Sequence, residues 1–200
     1  MVTNVVFDIG GVLVKTDFNR FLHAITKEFN IPIEDLINKS TNGVHLDYMK
    51  GKLTGEQFVD IICKKYNQTI SVEKFEKLWY LILSEQNDDV ADIVDCLHKQ
   101  YHLAIISNID PWHYDYCKTN FSVISTFKRF FLSYECNLLK PDPQFFKLVL
   151  EQLNEQPEQC LLIDDRLDNI QAAKKIGYQV IQFKNGAQLQ DDLKEMGIMT

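Results

Sequence analysis

The chain comprises 200 residues and 23.3 kDa, the size of a single domain carrying an insertion. With 46% hydrophobic and 24% charged residues it has a globular composition, which excludes disordered and fibrous classes, and apolar runs such as Val5–Phe7 and Leu161–Ile163 fall far short of the roughly 18 residues a membrane span needs. A net charge of −7 and an isoelectric point near 5.2 exclude a nucleic-acid-backbone binder, which would carry a basic stripe.

Asn4–Phe7 is a short, β-rich apolar run ending in Asp8 and the Gly10–Gly11 pair, which predicts a buried strand that delivers a carboxylate to a turn. Beyond Asp17, a residue with N-cap chemistry, Phe18, Phe21, Leu22, Ile25 and Phe29 recur at helical spacing. Ile33–Lys39, Val44–Met49, Gly55–Tyr66 and Val72–Leu83 continue the helical pattern, with a capping box of Thr54 and Gln57, and no strand is expected among them. From Asp88 helices and strands alternate: helix Asp88–Lys99, strand Leu103–Ser107, a short helix after Pro111, and strand Phe130–Ser133. Helix Pro143–Leu153, strand Cys160–Ile163, helix Asp168–Ile176 with Gly177 as C-cap, strand Tyr178–Phe183 and a last helix Ala187–Met196 follow. This alternation predicts an α/β fold, a doubly wound parallel-sheet core of residues 1–16 and 87–200 interrupted by an α-helical cap over residues 17–86.

The five cysteines are scattered with no CxxC pair, and the five histidines form no metal-binding pattern, so a disulfide framework and a zinc enzyme are both disfavoured. The amino terminus shows no signal-peptide core, which leads to the expectation of a cytoplasmic protein without nucleic-acid or membrane partners.

The predicted strand ends carry Asp8, Ser107–Asn108, Lys140 just beyond the third, and Asp164–Asp165. Ligands of open parallel sheets bind at the carboxyl edge of the strands, so these groups would converge there. Phosphoryl transfer through an aspartyl intermediate needs such a set: a nucleophilic carboxylate, a hard cation bound by oxygen, and donors for the transferring oxygens. Singly, each has an ordinary reading as turn residue, helix cap or solvated lysine; the shared edge favours function. Adjacent Asp164 and Asp165 are harder to dismiss, because like charges destabilise each other without a cation or donor. The aromatic residues Phe18, Phe21, Phe29, Phe58, Phe75, Trp79 and Tyr80 fall on helical stripes and are expected to pack together rather than line a substrate site.

DIGGV at Asp8–Val12, SN at Ser107–Asn108, KPDP at Lys140–Pro143 and LIDDRLDN at Leu162–Asn169 resemble, in order and spacing, the four motifs of the haloacid dehalogenase (HAD) superfamily, and they span most of the chain. More loosely, DIGGVLVKTDFNR resembles the start of bacterial α-D-glucose-1-phosphate phosphatases. The resemblance implies a Rossmann-like core with a helical cap and a Mg²⁺-dependent phosphatase. Its substrate would be a small phosphorylated metabolite, first of all a sugar phosphate, cleaved through an aspartyl phosphate. It further implies that Asp8 is nucleophile and metal ligand, that Gly10 lends its carbonyl to the metal, and that Ser107 and Asn108 donate to phosphoryl oxygens. Lys140 would offset the negative charge, Asp164 joined by Asp165 would ligate the metal, and Asp168 would hold a metal-bound water or Lys140.

Gly10 departs from the pattern of most such phosphatases, which place there an Asp that protonates the leaving oxygen, an assistance of about 10²- to 10⁴-fold. Asp17 supplying the proton, a leaving group that needs little protonation, and loss of turnover are the three explanations. The sugar-phosphate phosphatases it resembles also carry Gly there, which weighs against the third. Arg20 or Asn19, where core hands over to cap, would contact a polyhydroxylated substrate if that junction faces the pocket. Haloacid dehalogenation remains an alternative, opposed by the Asp164–Asp165 pair because that chemistry needs no metal. A non-catalytic binding or regulatory domain that retains the pocket is another, supported by Gly10. The oligomeric state is left open.

Overall fold

The computed structural model describes residues 1–31 and 42–199, so the helix expected over Ile33–Lys39 lies outside the described residues. In chain order the strands are β1 (Asn4–Phe7), β2 (Val14–Thr16), β3 (Leu83–Gln86), β4 (His102–Ser107), β5 (Arg129–Leu132), β6 (Cys160–Asp164) and β7 (Gln179–Gln182). Helices α1 (Phe18–Phe29), α2 (Asn42–Met49), α3 (Gly55–Tyr66) and α4 (Val72–Trp79) lie between β2 and β3. They are followed by α5 (Asp88–Leu97), α6 (Pro111–Asn120), α7 (Ser133–Cys136), α8 (Pro143–Leu153), α9 (Leu167–Ile176) and α10 (Gly186–Glu195). Among the described residues no helix is long and apolar enough to cross a membrane.

Five strands form a parallel sheet in the order β5-β4-β1-β6-β7. Side chains alternate across it, which is why its strands are apolar on both faces. Val5, Phe7, Leu103, Ile105, Leu161 and Ile163 pack on one side, whereas Val6, Ala104, Ile106 and Leu162 pack on the other with Phe145, Phe146 and Val149 of α8. The strand order reverses between β1 and β6, and there a crevice opens at the carboxyl edge.

Local chemistry sets the helix limits. Asp17 caps α1 by accepting from the Asn19 N–H, Thr54 and Gln57 form the expected capping box, and Gly177 closes α9 with φ of 113°. Phe21, Ile25, Phe29, Phe58, Phe75 and Trp79 form an apolar cluster of their own. Phe18 reaches this cluster only at its margin, its ring 5.7 Å from that of Phe21, and is 49% exposed, because it stands at the first position of α1.

The expectation of one helix over Val72–Leu83 and of no strand in this region is corrected. The helix stops at Trp79, and after a turn β3 pairs antiparallel with β2, extended by Asp17 N–H to Ile82 O at 2.8 Å and Asn87 N–H to Leu13 O at 2.9 Å. Leu83 is buried by this pairing rather than by a helical face. The helices also seat directly on the core. Ser133 Oγ donates to the Met49 carbonyl at 2.7 Å, and Gly51, at φ of 68°, lies so close that a Cβ there would come within 2.2 Å of the Tyr134 carbonyl oxygen.

Candidate active site

Asp8 follows β1 at the carboxyl edge and is 6% exposed. Its Oδ1 accepts from Ser107 Oγ at 2.8 Å and from the Ile9 N–H at 2.7 Å, and its Oδ2 lies 2.8 Å from Lys140 Nζ. Lys140 Nζ also contacts Asp164 Oδ2 at 2.6 Å and donates to the Ile106 carbonyl at 2.9 Å, so the ammonium is held by two carboxylates and a strand carbonyl. Asp164 is fully buried at the end of β6, where Asn169 Nδ2 donates to both its oxygens, at 2.9 and 3.0 Å, and the Arg166 N–H to Oδ1 at 2.9 Å. Asn169 was absent from the expected site residues, although its i+5 spacing from Asp164 across a helix start was the available signal.

Asp8, Asp164 and Asp165 each offer a carboxylate oxygen, and these oxygens lie within 4.8 Å of one another. The turn after β1 makes room for Asp165: Gly11 has φ of 84°, and a Cβ there would come within 2.5 Å of Asp165 Oδ2. Burial, opposed by Lys140 and reinforced by Asp164, pushes the Asp8 carboxyl up to about 7. Burial and Asp164 likewise raise Asp165. Burial pulls the Lys140 ammonium down, but Asp8 and Asp164 more than offset this and hold it above the ordinary lysine value. One ammonium among three carboxylates leaves the edge short of positive charge.

Two expected contacts differ. The Asn108 side chain turns to the main chain of Lys140, donating to its carbonyl and accepting from its N–H at 2.8 Å each, because the chain after β5 passes beside the end of β4. Asp168 pairs with Arg166, at 2.7 and 3.1 Å, and does not reach Lys140; the exposed first turn of α9 brings those two together.

Above Ser107 and Gly10, a cavity of about 160 Å³ lies between the core and the helices, with Phe18, His45, Met49 and Ile82 among its walls. Arg20 and Asp17 are exposed and are absent from its lining, because Asp17 serves as the cap of α1 and Arg20 follows on the outer side. A larger groove of about 420 Å³, lined by Asn4, His102, Leu103 and Arg129, lies at the opposite edge of the sheet, away from the carboxylates.

Sequence reasoning missed Asp110 and His113, which also line the cavity. Asp110 Oδ2 accepts from Trp79 Nε1 at 3.0 Å and lies 2.9 Å from His113 Nδ1, while His113 Nε2 lies 2.9 Å from the Trp79 carbonyl and the two rings stack. Both imidazole nitrogens thus face acceptors, which requires the imidazolium form. Despite burial, His113 holds Asp110 below the ordinary carboxyl value and Asp110 raises His113.

A haloacid dehalogenase-like hydrolase family model matches residues 2–177. The chain belongs to this family of hydrolases. The HAD chain is 26% identical over 200 residues to a D-ribitol-5-phosphate phosphatase of Bacteroides thetaiotaomicron, covering 96% of this chain and 97% of that one. A flavin mononucleotide hydrolase of Arabidopsis thaliana is 24% identical over 195 residues, covering 96% and 76%. Among solved structures, a HAD family enzyme from B. thetaiotaomicron in complex with magnesium and inorganic phosphate superposes with a TM-score of 0.85 at 27% identity, covering 93% of this chain and 96% of that one.

Proposed function

We propose that the protein is a magnesium-dependent phosphatase that hydrolyses a small phosphomonoester, a sugar or polyol phosphate, through an aspartyl phosphate on Asp8. The observation that carries this reading is the position of Asp8 between the Ser107 hydroxyl and the Lys140 ammonium, 2.8 Å from each, beside two further carboxylates. The D-ribitol-5-phosphate phosphatase relative, and the magnesium and phosphate in the Bacteroides structure, support the same chemistry.

The residues present fit magnesium. The donors are hard oxygens, the cluster is short of cations, and the Gly10 carbonyl accepts no hydrogen bond among the described residues. Asp8, Asp164, Asp165 and that carbonyl would hold the ion, which when bound screens the phosphate from the carboxylates around it.

Lys140 draws Asp8 toward its ionised form against burial and balances the incoming phosphate, and Ser107 orients Asp8 and then donates to a phosphoryl oxygen. Asp8 attacks phosphorus, the bond to the leaving oxygen breaks, and that oxygen takes a proton from solvent. Water next attacks phosphorus, the bond to Asp8 breaks, and phosphate departs with the carboxylate restored. In this proposal α1 to α4 form a cap, assigned to residues 17–86, that closes over the leaving group, while residues 1–16 and 87–200 form the catalytic core.

A phosphate-release screen over sugar, polyol, nucleotide and aryl phosphates, with and without Mg²⁺, tests the reading beside an Asp8→Asn control. Mg²⁺-dependent release that the variant lacks is expected. No release from any compound would favour the binding-domain reading suggested by Gly10, and metal-independent halide release from a 2-haloacid assayed alongside would favour dehalogenation.

A further inference from the structure

We infer that His45 is the specificity-determining residue of this site, hydrogen-bonding a hydroxyl of a small, uncharged, hydroxylated leaving group. The inference rests on the phosphatase reading and adds the leaving group to it. Among the described cavity-lining residues contributed by α1 and α2, Phe18, His45 and Met49, only His45 carries nitrogen or oxygen in its side chain. Its ring meets Trp79 edge-on at 5.2 Å, which fixes the ring plane. Among the described residues neither ring nitrogen has a hydrogen-bond partner. The half-buried imidazole therefore has both nitrogens available to a ligand in the cavity.

Burial lowers His45 below the ordinary imidazole value, opposed by Asp110 and aided by His113, so near neutral pH the ring is uncharged, one nitrogen donating and the other accepting. That combination suits a hydroxyl, which both donates and accepts. It does not suit a second anion. Among the described residues no Lys or Arg lines the cavity, and the His113 imidazolium is already matched by Asp110. A leaving group bearing a carboxylate or another phosphate would enter without a counter-charge.

Two matched pairs separate these terms: ribitol 5-phosphate against pentyl phosphate, which has the same chain length without hydroxyls, and glycerol 3-phosphate against 3-phosphoglycerate, which adds a carboxylate. The wild type should favour the hydroxylated member of the first pair by about ten-fold or more in kcat/KM and the uncharged member of the second. His45→Phe should cut the first ratio by about ten-fold, and His45→Gln, which keeps a donor and an acceptor, should restore most of it. If these variants misfold, the ¹⁵N resonances of the His45 ring in the Asp8→Asn protein should shift on adding ribitol 5-phosphate. An unchanged ratio in His45→Phe, or no shift on saturation, overturns the inference while leaving phosphate release intact. Absence of release from every phosphate instead overturns the phosphatase reading.

Discussion

Asn108 grips the main chain of Lys140 from both sides, its Nδ2 donating to the Lys140 carbonyl and its Oδ1 accepting from the Lys140 N–H, each at 2.8 Å. The amide thereby fixes where the ammonium stands relative to Asp8. Asn108→Ala should lower kcat by about 10²-fold with KM nearly unchanged, since a small displacement of a reacting group costs about that much. Asn108→Asp, which loses the donor, should fall in the same direction. Steady-state kinetics checks this, and a change confined to KM would return Asn108 to direct substrate contact.

Lys140 has two buried carboxylates to balance, so removing it strands both. Lys140→Met should abolish turnover and destabilise the fold by about 3–5 kcal/mol in metal-free buffer, measured by urea denaturation. Magnesium should recover part of that stability and none of the activity.

The Asp8 carboxyl ionises at about 3.8 in the unfolded chain and about 7 in the fold. The native state therefore binds more protons between those values, and metal-free stability should fall as pH rises through that interval, by on the order of 4 kcal/mol, then level off. Asp8→Asn should reduce this slope, leaving the share of the raised Asp165, and should abolish turnover. Calorimetric melting from pH 4 to 8, with and without Mg²⁺, reads the result, and the gain from Mg²⁺ should be larger at the alkaline end.

The two members of the Asp110–His113 pair act in opposite senses. His113 is raised above 6.5, so its contribution is complete below that value and is lost as pH rises through its folded pKa. Asp110 is lowered below 3.8, so its contribution is complete above that value and is lost only on further acidification. His113→Gln should therefore show its largest loss of melting temperature between about pH 4 and 6.5 and a smaller one at alkaline pH. A pH-independent difference would mean that the ring acts through packing alone.

At Gly10 a Cβ would meet, among the described residues, only Thr16 Cγ2, at 3.5 Å, an ordinary contact, so the backbone there accepts a side chain. Wild-type kcat/KM should fall steeply with leaving-group pKa across aryl and alkyl phosphates, since no carboxylate protonates the departing oxygen. Gly10→Asp should flatten that dependence. A shallow wild-type slope would show that another group already delivers the proton.

What could be read from the sequence depended on how far apart the cooperating residues lie. Asp8, Ser107 and Asp164 each end an apolar run, so the sheet and its edge were legible from local pattern. Lys140 stands outside any strand, and only its motif revealed it. The β2–β3 pairing joins runs of three and four residues that lie far apart in sequence, and neither carries a period of its own. Asp110 was readable as the cap of α6, whereas its bond to Trp79, 31 residues earlier, has no local signature. Asn108 was assigned to the phosphate by the resemblance of its motif, and only the passing chain at Lys140 reveals its other use.

The β2–β3 ribbon has a mechanical consequence. The chain leaves the core for its four described helices and returns through two strands that are hydrogen-bonded side by side, so both crossings turn about one shared axis. Twisting either strand alone would break the ladder, so the excursion is anchored as one ribbon rather than by two independent strands. Their number and length are free to vary without altering the sheet, because the excursion begins and ends at the same point. A different set of helices hung on the same ribbon would present a different wall to the same carboxylates.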